Sequence, residues 1–272
     1  FLCATQEGAA GERWEALLRG RPRRGEVLES EVLGSAWPLR CAEPAGDGRW
    51  LVENLGAAPV LQLLESAGVT PLPPYITTPL DDPERYQTTY ACALGSAAAP
   101  TAGLHFTPAL DARLAAGGVH LETVTLHVGL GTFKPLQAES LDAAALHAEA
   151  YEVAADAWER LLEARRDGRR IIAVGTTSMR VLEHLALLEE QGPPGAPAGR
   201  EIPLRGETSL FIRPGFEFRM VGGLITNFHL PRTSLLALVM AFCGVERTQA
   251  VYRHAVEQRY RFYSFGDAMV AL

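Results

Sequence analysis

The stretch Arg170-Ile171-Ile172-Ala173-Val174-Gly175-Thr176-Thr177-Ser178-Met179-Arg180 decides the fold class. Its first half is a short apolar run of the kind buried in a sheet. Gly175 punctuates it, and a helix is expected from about Ser178 to Glu190. Towards the C-terminus, Gln191 to Gly199 is a Pro/Gly loop without side chains that build a core. Ser209–Arg213 and Val221–Thr226 are expected as strands, and Leu235–Phe242 and Arg247–Arg259 as helices. Towards the N-terminus, Leu121–Val128 alternates as a strand, Leu141–Arg166 is expected to hold one or two helices, and Asp82–Leu94 is a helix candidate with Pro83 in its first turn. Strands alternating with helices define an α/β domain.

Upstream of this domain the pattern changes. Pro71-Leu72-Pro73-Pro74-Tyr75-Ile76 is an extended connector, because its prolines fix φ and remove donors. Pro59 to Gly68 is expected as a helix. Glu26–Leu33 and Arg49–Glu53 alternate as strands with one wet face, separated by glycine turns. The expected architecture is an α/β main domain with a mixed sheet, counted over residues 56–272, and a small β-barrel-type domain over residues 1–55.

Composition narrows the class. The chain has 272 residues, is 47% hydrophobic and 21% charged, and carries a net charge of −7. This is the balance of a globular protein with a real core. The longest apolar run, Leu235–Cys243, is half of the roughly 18 residues a membrane span needs, so no membrane association is expected. No leader pattern opens the sequence; it begins mid-pattern at Phe1-Leu2-Cys3 without Met, which leads us to expect a fragment. Cys3, Cys41, Cys92 and Cys243 form no CxxC pair, which argues for a reducing cytoplasm and against a cysteine-rich zinc site. The acidic balance places any RNA contact on a local patch. Lys134 is the single lysine, either a relic of arginine-rich composition or an amine that must lose its proton.

Several segments carry groups suited to chemistry. Gly175-Thr176-Thr177-Ser178-Met179-Arg180 joins free helix-start N–H groups to three hydroxyls and an arginine, a setting for an anion or carboxylate; the plainer role is a helix cap. His127-Val128-Gly129-Leu130-Gly131 puts a glycine pair after a strand, either for close ligand approach or for a tight turn. It lacks the third glycine of a dinucleotide loop. His105 ends the small-residue run Gly95–Thr107, and is either a core histidine or a proton carrier. Asn227 and His229 share a face at the end of a strand, where α/β sheets place ligands. Tyr260-Arg261-Phe262-Tyr263-Ser264-Phe265-Gly266-Asp267 suits stacking of unpaired bases, or docking into the core. His147 and Glu149 are two apart, a poor metal spacing for a helix, and no zinc is expected.

The order of eight blocks along the chain then points to one family. They are PLPPYI (71–76), Arg85-Tyr86-Gln87-Thr88, GSAAAPTAGLHFT (95–107), TLHVGLGTF (125–133), VGTTSMRVLE (174–183), FIRPGFEF (211–218), LITNFHLP (224–231) and YRFYSFGDAM (260–269). They resemble the signature blocks of the S-adenosylmethionine:tRNA ribosyltransferase-isomerases of queuosine synthesis. Residues 1–55 resemble that family's β-barrel domain more weakly, and the family's preceding α/β portion is absent. Thr77 and Thr78 stand where a basic residue often follows PPYI, Ala145 and Ala148 flank Leu146-His147 where the family tends to have Met and Ser, and Gly222 sits where an Asp is common. Position 134 is not fixed in the family.

The resemblance implies a transferase that attaches the ribosyl part of S-adenosylmethionine, its co-substrate, to the aminomethyl group of a 7-deazaguanine at the wobble position of a tRNA with a GUN-type anticodon. The ribose is rearranged to an epoxycyclopentane, giving epoxyqueuosine, while adenine and methionine leave. A proton beside the sulfonium must be removed and adenine must be protonated, work that histidine can do. No metal is called for, and no obligate protein partner is expected. His105, His127 and His229 are the proton-transfer candidates, with Asn227 orienting a ligand. Gly129, Gly131, Thr176, Thr177, Ser178 and Arg180 are expected to hold the methionyl or ribosyl part. Arg85, Gln87, Arg261 and Asp267 are candidates for the modified base or the tRNA. A non-catalytic RNA-binding protein and a nucleoside-processing enzyme without RNA are the rival classes.

Overall fold

The computed structural model describes residues 2–6, 12–18, 20–30, 37–46, 48–69, 71–73, 75–93, 96, 98–128, 148–191 and 202–272. The chain forms two compact units: Phe1–Pro83 with Leu94–Ala97, and Glu84–Ala93 with Ala98–Leu272. Helix Val60–Ala67 and the proline connector therefore belong to the first unit.

The smaller unit is one antiparallel sheet of five strands. These are β1 (Leu2–Gln6), β2 (Arg13–Leu17), β3 (Val27–Ser30), β4 (Trp37–Gly46) and β5 (Arg49–Asn54), in the order β1-β2-β5-β4-β3. Among the described residues the sheet is open, with β1 and β3 at its edges. Register shifts between Cys41 and Glu43 and between Pro44 and Gly46 bend β4 against β5, the usual effect of an extra residue in one strand. Helix α1 (Val60–Ala67) buries Val60 against Trp14, Ala16 and Val52. Glu12 fixes this junction twice: its carbonyl accepts from Asn54 N–H at 2.8 Å and its carboxylate from Val60 N–H at 2.7 Å.

The larger unit holds two three-stranded sheets. In one, β10 (Gly223–Asn227) runs parallel to β8 (Ile172–Val174) and antiparallel to β11 (Ala268–Ala271). In the other, β7 (Glu149–Glu152) lies between β6 (Thr125–His127) and β9 (Arg205–Thr208), all antiparallel. Around them lie α2 (Pro108–Ala116), α3 (Ala155–Arg166), α4 (Thr176–Gln191), α5 (Ser234–Cys243) and α6 (Val245–Glu257). The result is the mixed α/β architecture expected. No single described helix is long and apolar enough to cross a membrane.

Three local expectations are corrected, and one helix went unexpected. The helix expected over Asp82–Leu94 does not form among the described residues: only Pro83–Tyr86 winds, as a 3-10 turn, and residues 87–93 are irregular. Thr88 and Thr89 are β-branched and poor helix formers, and Thr89 donates its hydroxyl to Asp111 at 3.0 Å instead. Within Leu141–Arg166 a helix does form, α3, but Glu149 opens a strand rather than lying on a helix. Glu149, Tyr151 and Val153 are buried in alternation, a period of two hidden by the charged first member. The strand expected at Ser209–Arg213 lies at Arg205–Thr208, because the Thr208 hydroxyl accepts from Leu210 N–H at 3.2 Å and turns the chain there. Helix α2 carried an overlooked signature: Thr107 caps it by accepting from Leu110 N–H, Pro108 opens it and Gly117 ends it.

Helix α4 is the centrepiece. Met179, Val181, Leu182, Leu185, Ala186 and Leu188 are buried in the main core. Two charged residues of the same helix are buried as well. Arg180 pairs with Glu149 at 2.8 Å, their side chains 7% and 2% exposed, and donates to the carbonyls of Leu210 (3.1 Å) and Thr208 (3.3 Å). Glu183 accepts from the backbone N–H groups of Arg219, Met220 and Val221 at 2.8, 3.0 and 2.8 Å, fixing the approach to β10. Removing one partner of a buried pair strands the other charge, at a typical cost of about 3–5 kcal/mol. Glu149→Gln is therefore expected to lower the denaturant midpoint sharply. The double change Glu149→Leu with Arg180→Met should recover much of the loss, and equal midpoints for Glu149→Gln and the native chain would contradict the assignment.

Candidate active site

The site forms where β8 and β10 end side by side. Gly175 follows β8 with φ 93°, in the left-handed region that favours glycine, and donates its N–H to the Ile225 carbonyl at 2.8 Å. Helix α4 starts at the next residue, so the N–H groups of Thr176, Thr177 and Ser178 open at the carboxyl edge of the parallel pair. Thr176 is buried, and Thr177 and Ser178 are half-buried. Ala102 lies close to Gly175. It belongs to a 3-10 turn, Thr101–His105, that packs over β10.

Asn227, the last residue of β10, is 2% exposed and makes the central connection. Its Oδ1 accepts from the Thr101 hydroxyl at 3.0 Å, and its Nδ2 lies 3.1 Å from His105 Nε2. Once Thr101 donates to Oδ1, Nδ2 is the donor towards the ring, so Nε2 accepts and the ring proton sits on Nδ1. Asp267 stands near enough to feel His105. Its carboxyl is held below the usual range first by the Arg261 guanidinium, then by the Arg261 N–H, with a smaller pull from His105. The two Arg261 bonds measure 2.9 and 2.7 Å. Gly266 lets this loop close: a Cβ there would meet the Arg261 and Phe262 backbone at 2.5 Å.

A second glycine is equally constrained. At Gly103 a Cβ would lie 2.1 Å from the Tyr90 hydroxyl and 2.7 Å from Thr88 Cγ2, so residues 88–90 sit directly on the turn that carries His105. Burial, and then the Asp111 charge, raise the Tyr90 phenol above its ordinary value. Tyr86 is buried edge-on to Phe265, with ring centres 5.7 Å apart, and the Arg85 guanidinium lies 5.9 Å above the Phe265 ring. Arg85 and Gln87 are exposed beside them.

Among the described residues, the other expected ones stand as follows. The His229 ring bonds the Thr226 hydroxyl at 2.8 Å, and its backbone N–H donates to the Tyr252 hydroxyl at 3.0 Å. Burial lowers its pKa from 6.5 to about 4, so near neutral pH it is an uncharged member of the packing around Phe228, Tyr252 and Phe262. His127 stands on β6 opposite Ala150, in the other sheet, and its side chain bonds no described residue. Arg180 is committed to Glu149. Gly129, Gly131, Lys134 and His147 lie outside the described residues. No group of three or more His, Cys, Asp or Glu among the described residues is placed to hold a metal ion. Thr101 and Tyr90 were not singled out from sequence. Thr101 sits four residues before His105, on the same tight turn, but nothing in its type distinguished it from its neighbours.

Such an arrangement, a buried amide bonded to a histidine at the carboxyl edge of a parallel strand pair beside a helix start, lies where α/β enzymes bind their ligands. The chain belongs to the queuosine biosynthesis protein family, whose description matches residues 2–271. It is 46% identical over 264 residues to the S-adenosylmethionine:tRNA ribosyltransferase-isomerase of Sphingopyxis alaskensis, covering 96% of this chain and 72% of that protein. It is 49% identical over 276 residues to the protein of the same name from Anaeromyxobacter dehalogenans, covering all of this chain and 76% of that one. A solved structure of an S-adenosylmethionine tRNA ribosyltransferase from Thermotoga maritima aligns with all of this chain and 78% of its own, at 29% identity and a TM-score of 0.49.

Two outcomes follow from these contacts. The folded state holds a proton on His229 more weakly than the unfolded chain does, so this contribution is complete above about pH 6.5 and is lost as pH falls towards about 4. The thermal midpoint of the native chain should drop more steeply through that window than that of His229→Gln; parallel curves would refute it. Gly103→Ala should displace Tyr90 and the His105 turn, measured as a lowered midpoint that Gly103→Ala with Tyr90→Phe partly restores.

Proposed function

We propose that this chain is an S-adenosylmethionine:tRNA ribosyltransferase-isomerase. The observation that carries the reading is the Thr101–Asn227–His105 chain beside the start of α4, in a member of a family whose curated relatives bear that name at 44–49% identity over nearly the whole of this chain. S-Adenosylmethionine is the co-substrate and tRNA the acceptor. The acceptor group is the aminomethyl nitrogen of a 7-deazaguanine at the wobble position of a GUN-type anticodon. That nitrogen forms the new bond to the ribosyl carbon. Adenine and methionine leave, and the rearranged sugar closes as the epoxycyclopentane of epoxyqueuosine.

In this reading His105 carries the proton, its ring held in one tautomer by Asn227. The open N–H groups and hydroxyls of Thr176, Thr177 and Ser178 receive the methionyl carboxylate at the positive end of α4. Arg180 acts through position, fixing the helix rather than touching the ligand, and Gly129 and Gly131 remain the sequence candidates for the methionyl or ribosyl part. His127 stays a second proton carrier approaching from the other sheet, and His229 supports Asn227 from below. Arg85, Gln87, Arg261 and the Phe265 ring form the platform for the modified base. The larger unit carries the chemistry, the five-stranded unit is a barrel-type accessory module, and the enzyme works in the cytoplasm.

Absorbance-detected release of adenine from S-adenosylmethionine, with and without tRNA carrying the precursor base, tests the reading. Release only with tRNA is expected. Release without tRNA would make the chain a nucleoside-processing enzyme, and tRNA binding without release an RNA-binding protein. His105→Ala should cut turnover by about 10²–10⁴ with the thermal midpoint little changed. His229→Gln should do the reverse.

A further inference from the structure

Between β2 and β3 the smaller unit turns through Gly20-Arg21-Pro22-Arg23-Arg24-Gly25-Glu26. The turn is anchored at its base: Gly25 N–H donates to the Cys41 carbonyl at 2.7 Å, and Cys41 N–H to the Glu26 carbonyl at 2.8 Å. Gly20 and Gly25 bend the chain with φ 103° and 82°, and Pro22 restricts it between them. The one acid in the turn, Glu26, accepts from the Arg23 backbone N–H at 2.7 Å. Arg21, Arg23 and Arg24 are exposed, and with Gly25 and Glu26 they line an open recess of about 610 Å³. None of the three guanidinium groups pairs with a described residue.

Several other arginines of this chain are paired. In the same unit Arg40 pairs with Glu53 at 2.7 Å and Arg49 with Glu15 at 2.6 Å. In the larger unit Arg160, Arg165 and Arg261 are each paired with carboxylates. Acidic residues outnumber basic ones by 32 to 25, so carboxylates are plentiful. Three guanidiniums unpaired among the described residues stand within four positions and repel one another, and a doubly pinched turn keeps them together. A single small anion would find little here, because the described residues that line the recess are all exposed. A polyanion gains from each exposed charge by releasing its own counterions, and the guanidinium fork matches phosphate oxygens.

We infer that the Arg21–Arg24 turn grips the RNA phosphate backbone, reading charge rather than sequence. This rests on tRNA being the substrate. The test uses an unmodified tRNA transcript with a GUN-type anticodon and the full chain, native and with Arg21→Gln, Arg23→Gln and Arg24→Gln combined. Binding is followed over about 50–200 mM KCl, the range where backbone contacts separate clearly. The triple variant should bind about tenfold or more weakly, and its log K against log salt should flatten by about 2–3, close to 0.9 for each lost contact. In turnover its KM for tRNA should rise with kcat kept. Arg165→Gln, which removes a paired arginine of the larger unit, should change neither quantity, and matched thermal midpoints show that the variants are folded.

Equal affinity and slope for the native chain and the triple variant would overturn the assignment and leave the tRNA reading standing. A native chain that ignores the transcript at the lowest salt would overturn both. Inorganic phosphate should displace the transcript no better than KCl of the same ionic strength. Displacement at low millimolar phosphate would make the recess a free-anion site and refute the backbone contact.

Discussion

The buried pair Arg180–Glu149 is the constraint on which the larger unit depends. Arg180 belongs to the helix that leaves β8, while Glu149 opens β7 in the other sheet. Their contact, extended by the bonds of Arg180 to the Thr208 and Leu210 carbonyls, ties the parallel strand pair to the antiparallel trio through one side chain. A buried ion pair adds little net stability over an apolar match. What it supplies is register, since a carboxylate and a guanidinium with no water to replace either admit few alternative arrangements. Glu183, three residues on, repeats the device with three backbone donors and sets the entry to β10.

From that frame the site follows. Two parallel strands ending together leave their last residues at one edge, where Gly175 turns one chain into a helix and Asn227 ends the other. The helix start brings unpaired N–H groups, and Asn227 brings an amide whose two ends are both engaged. Electrostatics is local here: Arg261 and Asp267 neutralise each other at the rim, and His105 adds only a smaller pull on the Asp267 carboxyl. The neighbouring His229, only two residues past Asn227, has a different chemistry because burial keeps it neutral.

Sequence patterns located the strand–glycine–helix unit, β10 and both C-terminal helices to within a few residues, because their apolar content is nearly continuous. They missed β7, where a buried Glu149 looks like a surface residue until Arg180 is seen beside it. They placed a helix over residues 82–94, where Thr89 prefers a distant aspartate to its own backbone. In the site, Asn227, His105, Arg261 and Asp267 were legible as chemistry-bearing types, but their convergence was not. Arg180 was legible as an anion-binding type, and only the folded chain reveals that its anion is internal. Thr101 and Tyr90 carry no local signal at all, since their parts are defined by what packs against them.

The Thr101–Asn227–His105 chain has a kinetic side. Its two bonds join residues 126 and 122 positions apart, and β10 itself is flanked by strands reached from opposite directions along the chain. Contacts of such long range are made late, after the entropy of closing the intervening segments has been overcome. A partly folded chain therefore has His105 without its orienting amide. The ring is locked into one proton arrangement only when nearly the whole unit is in place, so its orientation arrives together with global folding and not before it.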